Sequence, residues 1–195
     1  AWFTYHAFVP AEAIKALVRF ARTVSNADLT RDVTALLAEA LTEHVCPSGI
    51  AIFVLEEHGL LGLATQRKIP ELAQSDTLKT PELDEVGQLG DYVLQATKNR
   101  FKAQLTRPLV AGANLFGGVV LCYEDASKVP NNASMALDVG EGLIDLAALA
   151  LENDAHVAQL ERQYAELHAQ QEMPIRTEKL RALGQMAAGV SHDVR

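Results

Sequence analysis

The sequence predicts an α+β domain with an antiparallel central sheet flanked by helices, followed by a long C-terminal coiled-coil helix. Three observations carry this. Two dense apolar hairpin patterns, around residues 49–67 and 101–123, are each broken by a Gly-containing turn. Amphipathic stretches precede, separate and follow them. The last stretch keeps an alternating spacing of three and four over Leu143, Leu146, Ala150, Asn153, Val157, Leu160, Tyr164 and Leu167.

Each element has its own signal. A first helix is expected from Pro10, a good first-turn residue, to about Ser25, with its apolar positions Ile14, Leu17, Val18 and Ala21 spaced three and four apart. Residues 26–28 break it, and a second helix over 30–45 turns Val33, Leu36, Leu37, Ala40 and Leu41 to one face. "GIAIFVLEE" (49–57) and "LLGLATQR" (60–67) form a hairpin across "HG". Residues 68–85 are polar, hold Pro70 and Pro81, and read as loops with one short helical turn. A helix over 85–98 points Val86, Leu89, Val93 and Leu94 inward. A second hairpin has strands at 101–110 and 115–123, joined by "AGAN", and a long helix covers 134–172.

Composition bounds the function. With 195 residues, 49% hydrophobic and 22% charged, the chain suits one globular domain plus extra helix. Its net charge of −8, from 17 basic and 25 acidic residues, argues against nucleic acid as a partner, because phosphate binding needs a clustered basic face. Cys46 and Cys122 fit neither a metal spacing nor a redox pair. Both lie in apolar runs and are expected as buried free thiols, which suggests a reducing, cytoplasmic setting. No run reaches the roughly 18 apolar residues of a membrane span; "LIDLAALAL" (143–151) is shorter and contains Asp145. A start at Ala1 without a signal peptide reads as a piece of a longer protein, whose anchor, if any, lies elsewhere.

The order of elements, with "IAIFVL", "EEHGLLGLAT" and "LTRPLVAGANLFGGVVL", resembles a GAF domain, a sensing module of bacterial signalling proteins, over roughly residues 28–155. One departure stands out: "NRF" runs almost directly into "KAQLTRPL", so the strand and loop that usually help cover the ligand pocket look shortened. That favours a filled core over a ligand cavity, with the ligand unknown. Cys122 falls inside the last strand, and no Cys stands where bilin-binding members attach their chromophore, so a tetrapyrrole sensor is not expected.

The tail "EKLRALGQMAAGVSHDVR" resembles the first helix of the dimerisation and phosphoacceptor domain of sensor histidine kinases. His192, Asp193, Val194 and Arg195 match that family's motif, and the chain ends where its Asn would stand. The resemblance implies that His192 is the phosphoacceptor and Asp193 its base or orienter. It also implies that ATP and magnesium bind on a separate catalytic domain, and that a response-regulator receiver domain is a partner. The domains expected are therefore an N-terminal helix at 1–27 that is a candidate for dimerisation, a GAF-like sensory domain at 28–133, a signalling coiled coil at 134–173, and the start of the phosphoacceptor helix at 174–195.

Helix geometry tests the tail independently. A second apolar seam of Leu180, Leu183, Ala187 and Val190 is offset by two residues from the first, with Pro174 near the break. Pro174 is expected either to kink the helix or to mark an end and a restart. In the second seam His192 takes the f position, farthest from a partner helix, as a phosphoacceptor must. "SHD" is no catalytic triad, because successive helix side chains diverge by about 100° whereas triad members converge. The expected function is the sensory and dimerising part of a two-component sensor histidine kinase, a homodimer through the coiled coil. The alternative is a GAF-type ligand-binding or interaction module dimerised in the same way, without phosphotransfer. A self-contained enzyme has little support, since no carboxylate pair, metal cluster, Gly-rich phosphate loop or nucleophile elbow is visible.

Overall fold

The computed structural model describes residues 11–25, 30–56, 60–70, 72, 77–79, 86–98, 100–131 and 134–192, with side chains at all of these except 30–31, 77–79 and 171–192. The elements are α1 (Ala11–Val24), α2 (Thr30–His44), β1 (Gly49–Leu55), β2 (Leu60–Arg67), β3 (Thr77–Lys79), α3 (Gly87–Ala96), β4 (Ala103–Ala111), β5 (Asn114–Tyr123) and α4 (Met135–His192). The chain divides into two compact units, residues 1–154 and 155–195.

In the first unit five antiparallel strands lie in the order β3-β2-β1-β5-β4. β1 is central, with Ile52 opposite Thr65 on β2 and Val119 on β5. Side chains alternate across a strand, and here both faces are buried. Ile50, Ile52, Val119, Leu121 and Tyr123 point to a layer with residues of α1, α2 and α4, among them Phe20, Leu37, Leu41 and Leu143. Ala51, Phe53, Val120 and Cys122 point the other way, to Leu89 and Val93 of α3 and to Ile69, Leu72 and Phe101. This two-sided burial explains why β1 and β5 read as nearly continuous apolar runs.

Local chemistry sets the connections. Gly112 takes a positive φ of 59° in the two-residue turn between β4 and β5, a conformation glycine adopts without steric cost. Ser134 caps α4: its hydroxyl accepts a hydrogen bond from the Leu137 N–H at 3.3 Å. Arg107 on β4 donates to Glu141 on α4 at 2.9 Å, tying the edge strand to the helix. Both side chains are partly exposed, so the tie contributes at most about 1 kcal/mol.

Among the helices and strands, the structure departs from the sequence reading at two places. On α1 the buried stripe is Ala13, Ala16, Phe20 and Val24, while Ile14 and Val18 are 51% and 46% exposed. Hydropathy favours the stripe with more branched residues, but small alanines let the helix backbone approach its neighbours. A Cβ on Gly142 of α4 would come within 2.9 Å of Leu17, so α1 and α4 also pack closely there. The second correction is β3, which falls in the segment expected to be loop and helical turn. Three residues carry no periodicity; their pairing with Leu60–Gly62 of β2 makes them a strand.

Leu143 is 0% exposed and Leu160 is 64% exposed, although both belong to the same apolar seam. Leu143→Ala is expected to lower stability by about 3 kcal/mol, through lost burial and a residual cavity. Leu160→Ala is expected to stay within about 0.5 kcal/mol in the monomer. Urea unfolding of the two variants under dissociating conditions, followed by the first unit's fluorescence, measures both.

Candidate functional site: the C-terminal helix and the two sheet faces

The long helix carries the sequence-predicted site, and its burial changes along its length. Leu143, Ile144, Ala147, Ala148 and Leu151 are buried against the first unit's own core. Leu146 and Ala150 are partly buried against the same cluster. Asn153, the polar exception in the seam, is exposed. Beyond it Val157, Leu160, Tyr164 and Leu167 are 47%, 64%, 65% and 52% exposed. One spacing pattern thus serves two purposes: its first half covers a sheet, and its second half is an apolar stripe that nothing among the described residues covers. The Tyr164 and His168 rings, one turn apart, meet edge to face with centroids 4.5 Å apart.

α4 continues through Pro174 as one helix and is described as far as His192, so the chain does not stop and restart at Pro174. The backbone of His192 is helical. Its side chain, and Asp193, Val194 and Arg195, lie outside the described residues. Among the described residues no helix is long and apolar enough to cross a membrane, and no three His, Cys, Asp or Glu side chains group as a metal cage.

The face of the sheet beneath α3 is closely packed. A Cβ on Gly118 of β5 would stand 2.6 Å from Leu89 Cδ1 and 3.1 Å from Val86 Cγ1. A Cβ on Gly49 of β1 would stand 2.8 Å from Ile69 and 2.9 Å from Phe101. The α3 side chains rest directly on the strands, with glycine making the room. Gln104 packs over Gly90 of α3, and its amide donates to Asp91 at 3.1 Å. Two amide oxygens, Gln66 Oε1 and Gln104 Oε1, are buried without a hydrogen-bond partner among the described residues, as is the hydroxyl of Tyr123 on the opposite face. A shallow cleft of about 180 Å³ lies between α1 and α2, with Phe20, Leu36 and Ala40 below and Arg19, Glu39 and His44 around it.

The two cysteines differ, against the expectation of two buried thiols. Cys122 is buried, but Cys46 is exposed, with a φ of 53° just beyond α2. Its neighbours Val45 and Pro47 are buried, and the turn points the residue between them outward. The apolar context of Cys46 in the sequence reports those neighbours rather than Cys46. Burial pushes the Cys122 thiol up to about 12, with Arg100 opposing weakly, and burial likewise pushes Tyr123 up to about 12. Asp125 is held below its ordinary range, chiefly by the Ser127 N–H, which donates to its carboxylate at 2.9 Å.

No protein-family model and no curated protein matches the sequence. The architecture does match solved structures. It is similar to the GAF domain of a phosphoenolpyruvate-protein phosphotransferase from Coxiella burnetii, with a TM-score of 0.58 and 17% identity over 75% of this chain and 96% of that one. It is similar to the phycoerythrobilin-bound GAF domain of a cyanobacterial phytochrome, with a TM-score of 0.56 and 14% identity over 77% of this chain and all of that one (100%). It is also similar to part of a methyl-accepting chemotaxis protein, with a TM-score of 0.53 and 13% identity over 71% of this chain and 98% of that one. The fold is therefore that of a GAF domain, with a long helix continuing from it.

The native chain should react with a thiol reagent at one site, Cys46, and at two after denaturation. Because folding raises the pKa of Cys122 and Tyr123, their neutral forms support the fold below the ordinary values of 9.0 and 10.0. The unfolded chain ionises first as pH rises, so stability should fall from about pH 9 towards 12. Urea midpoints across that range check the sign.

Proposed function

We propose that this chain is the sensory and dimerising portion of a cytoplasmic two-component sensor histidine kinase. The observation that carries the proposal is one uninterrupted helix that runs from a GAF fold to His192, within the sequence "LRALGQMAAGVSHDVR". In this reading His192 accepts phosphate from ATP, held with magnesium by a catalytic domain. The neutral imidazole attacks the terminal phosphorus in line. A nitrogen–phosphorus bond forms and the bond to the ADP oxygen breaks. Asp193 orients the ring and takes the proton from its other nitrogen. An unperturbed imidazole is largely neutral near pH 7, and such transfers depend mainly on positioning and charge stabilisation. A receiver domain then takes the phosphate.

The exposed stripe from Val157 to Leu167 supports a homodimer. Polar residues flank it, as in a two-stranded coiled coil. The close packing of Leu89 and Val86 on Gly118 supports a filled core under α3, which makes the sheet unit a platform rather than a ligand cup. A second reading keeps the dimer and drops the phosphotransfer. It draws on the neighbours themselves: the same fold stands in a phosphotransferase, a phytochrome and a chemotaxis protein, so the fold does not choose the output.

Labelled ATP mixed with the full-length protein should place acid-labile phosphate on the wild type and none on His192→Gln. Label that survives the substitution overturns the phosphoacceptor role. Leu160→Asp should weaken the dimer by at least about tenfold in sedimentation equilibrium, because it puts a charge in the apolar seam. An unchanged association constant would remove the coiled coil from the dimer.

A further inference from the structure

The first unit carries its positive charge unevenly. The chain has 17 Lys and Arg against 25 Asp and Glu. Five of those basic residues, Arg67, Lys68, Lys98, Arg100 and Lys102, gather at one end of the sheet, and all five are exposed. The sequence hides this cluster, because its two halves lie far apart along the chain. Two buried anchors bring the halves together. A Cβ on Gly49 of β1 would press on both Ile69, which follows Lys68, and Phe101, which stands between Arg100 and Lys102. Arg100 closes the junction. Its guanidinium donates to the Lys68 carbonyl at 3.0 Å and lies 4.9 Å from the centroid of the Phe101 ring.

The backbone is unusual at the same place. Among the described residues three that are not glycine take a positive φ, and two of them are Lys68 at 59° and Lys98 at 50°. A side chain in this left-handed region crowds its own backbone, and glycine sits there at lower cost. Lys98 follows Thr97, the C-cap of α3, and so takes the position where helices most often place glycine. Strained residues persist where their surroundings hold them, and they cluster at functional sites. Here both strained positions carry an exposed positive charge. Acids border the cluster. Glu39 lies 3.9 Å from Arg67, and Glu124 follows Tyr123, whose carbonyl accepts from the Lys102 N–H at 2.8 Å.

We propose that this basic end of the sheet docks an acidic peptide segment of a partner protein. Charge chooses the class of partner. At physiological ionic strength an exposed charge is felt over about 8 Å. A short acidic segment seated on the cluster therefore meets its five cations and little else. A membrane surface or a nucleic-acid duplex extends past the cluster and meets the rest of a chain whose net charge is −8. The docking surface belongs to the first unit and does not depend on His192 accepting phosphate.

Fluorescence anisotropy of a labelled octa-glutamate peptide, titrated with the whole chain at low salt, tests the proposal. Lys68→Gly combined with Lys98→Gly should weaken binding about fivefold or more, since each exposed ion pair contributes modestly. The same pair should leave the thermal midpoint unchanged or raise it, because glycine relieves both left-handed positions. Lys68→Gln combined with Lys98→Gln should lose the same affinity. Lys15→Gln combined with Arg162→Gln removes two positive charges elsewhere and should change affinity less than about twofold, because screening confines each charge to its surroundings. The proposal is overturned by a peptide that does not bind, by unchanged affinity in either Lys68 and Lys98 pair, by an equal loss in the Lys15 and Arg162 pair, or by a lower thermal midpoint in the glycine pair. Binding to duplex DNA or to phosphatidylserine vesicles as tight as to the peptide also overturns it. No phosphate transfer enters this experiment, so its failure is distinct from loss of the His192 role in the ATP assay.

Discussion

The pairing of β1 with β5 is the contact on which the first unit depends. These two strands form the middle of the sheet and are covered on both sides. Burial on both sides demands apolar residues at consecutive positions, and "GIAIFV" and "GVVLCY" supply them. It also demands glycine where a second layer comes too close. A Cβ on Gly117 would run into the carbonyl of Phe53, and one on Gly118 would displace Leu89. The pairing thus fixes the close approach of α3 on one side and the seat of α4 on the other.

α4 links the fold to its proposed output. Its first turns complete a hydrophobic core, so their spacing is satisfied within the chain. Its later turns keep the same spacing with nothing from the described chain covering them. A surface helix that repeats apolar residues over several turns gains stability by packing on another helix, since an isolated helix is marginal in water. The GAF fold and the proposed phosphoacceptor reading therefore meet in one physical object: a helix that is core at one end and carries an exposed apolar stripe further on.

Much of the fold was legible in the sequence because its signals are local. The two hairpins, α2 and α3 follow from periodicity, turn residues and flanking polarity, and the structure places them within a few residues of expectation. The failures have a common cause. Ile14 and Val18 against Ala13 and Ala16 is a choice between two faces of one helix, and only the neighbouring α4 decides it. β3 exists because β2 offers it an edge. Cys46 is exposed because the turn after α2 points it outward between two buried neighbours.

By itself the sequence determined the α+β class, the order of the elements, the heptad spacing and the two-residue offset between the seams. These are properties of residues near one another along the chain, and periodicity records them. Only the tertiary structure decided where the seam stops being core and becomes surface, at Asn153, and which stripe of α1 faces in. It also decided that the α3 face is closely packed and that Arg107 reaches Glu141 on α4. Those outcomes depend on which surfaces meet in space, and the same apolar pattern is equally good at covering a sheet or a second helix.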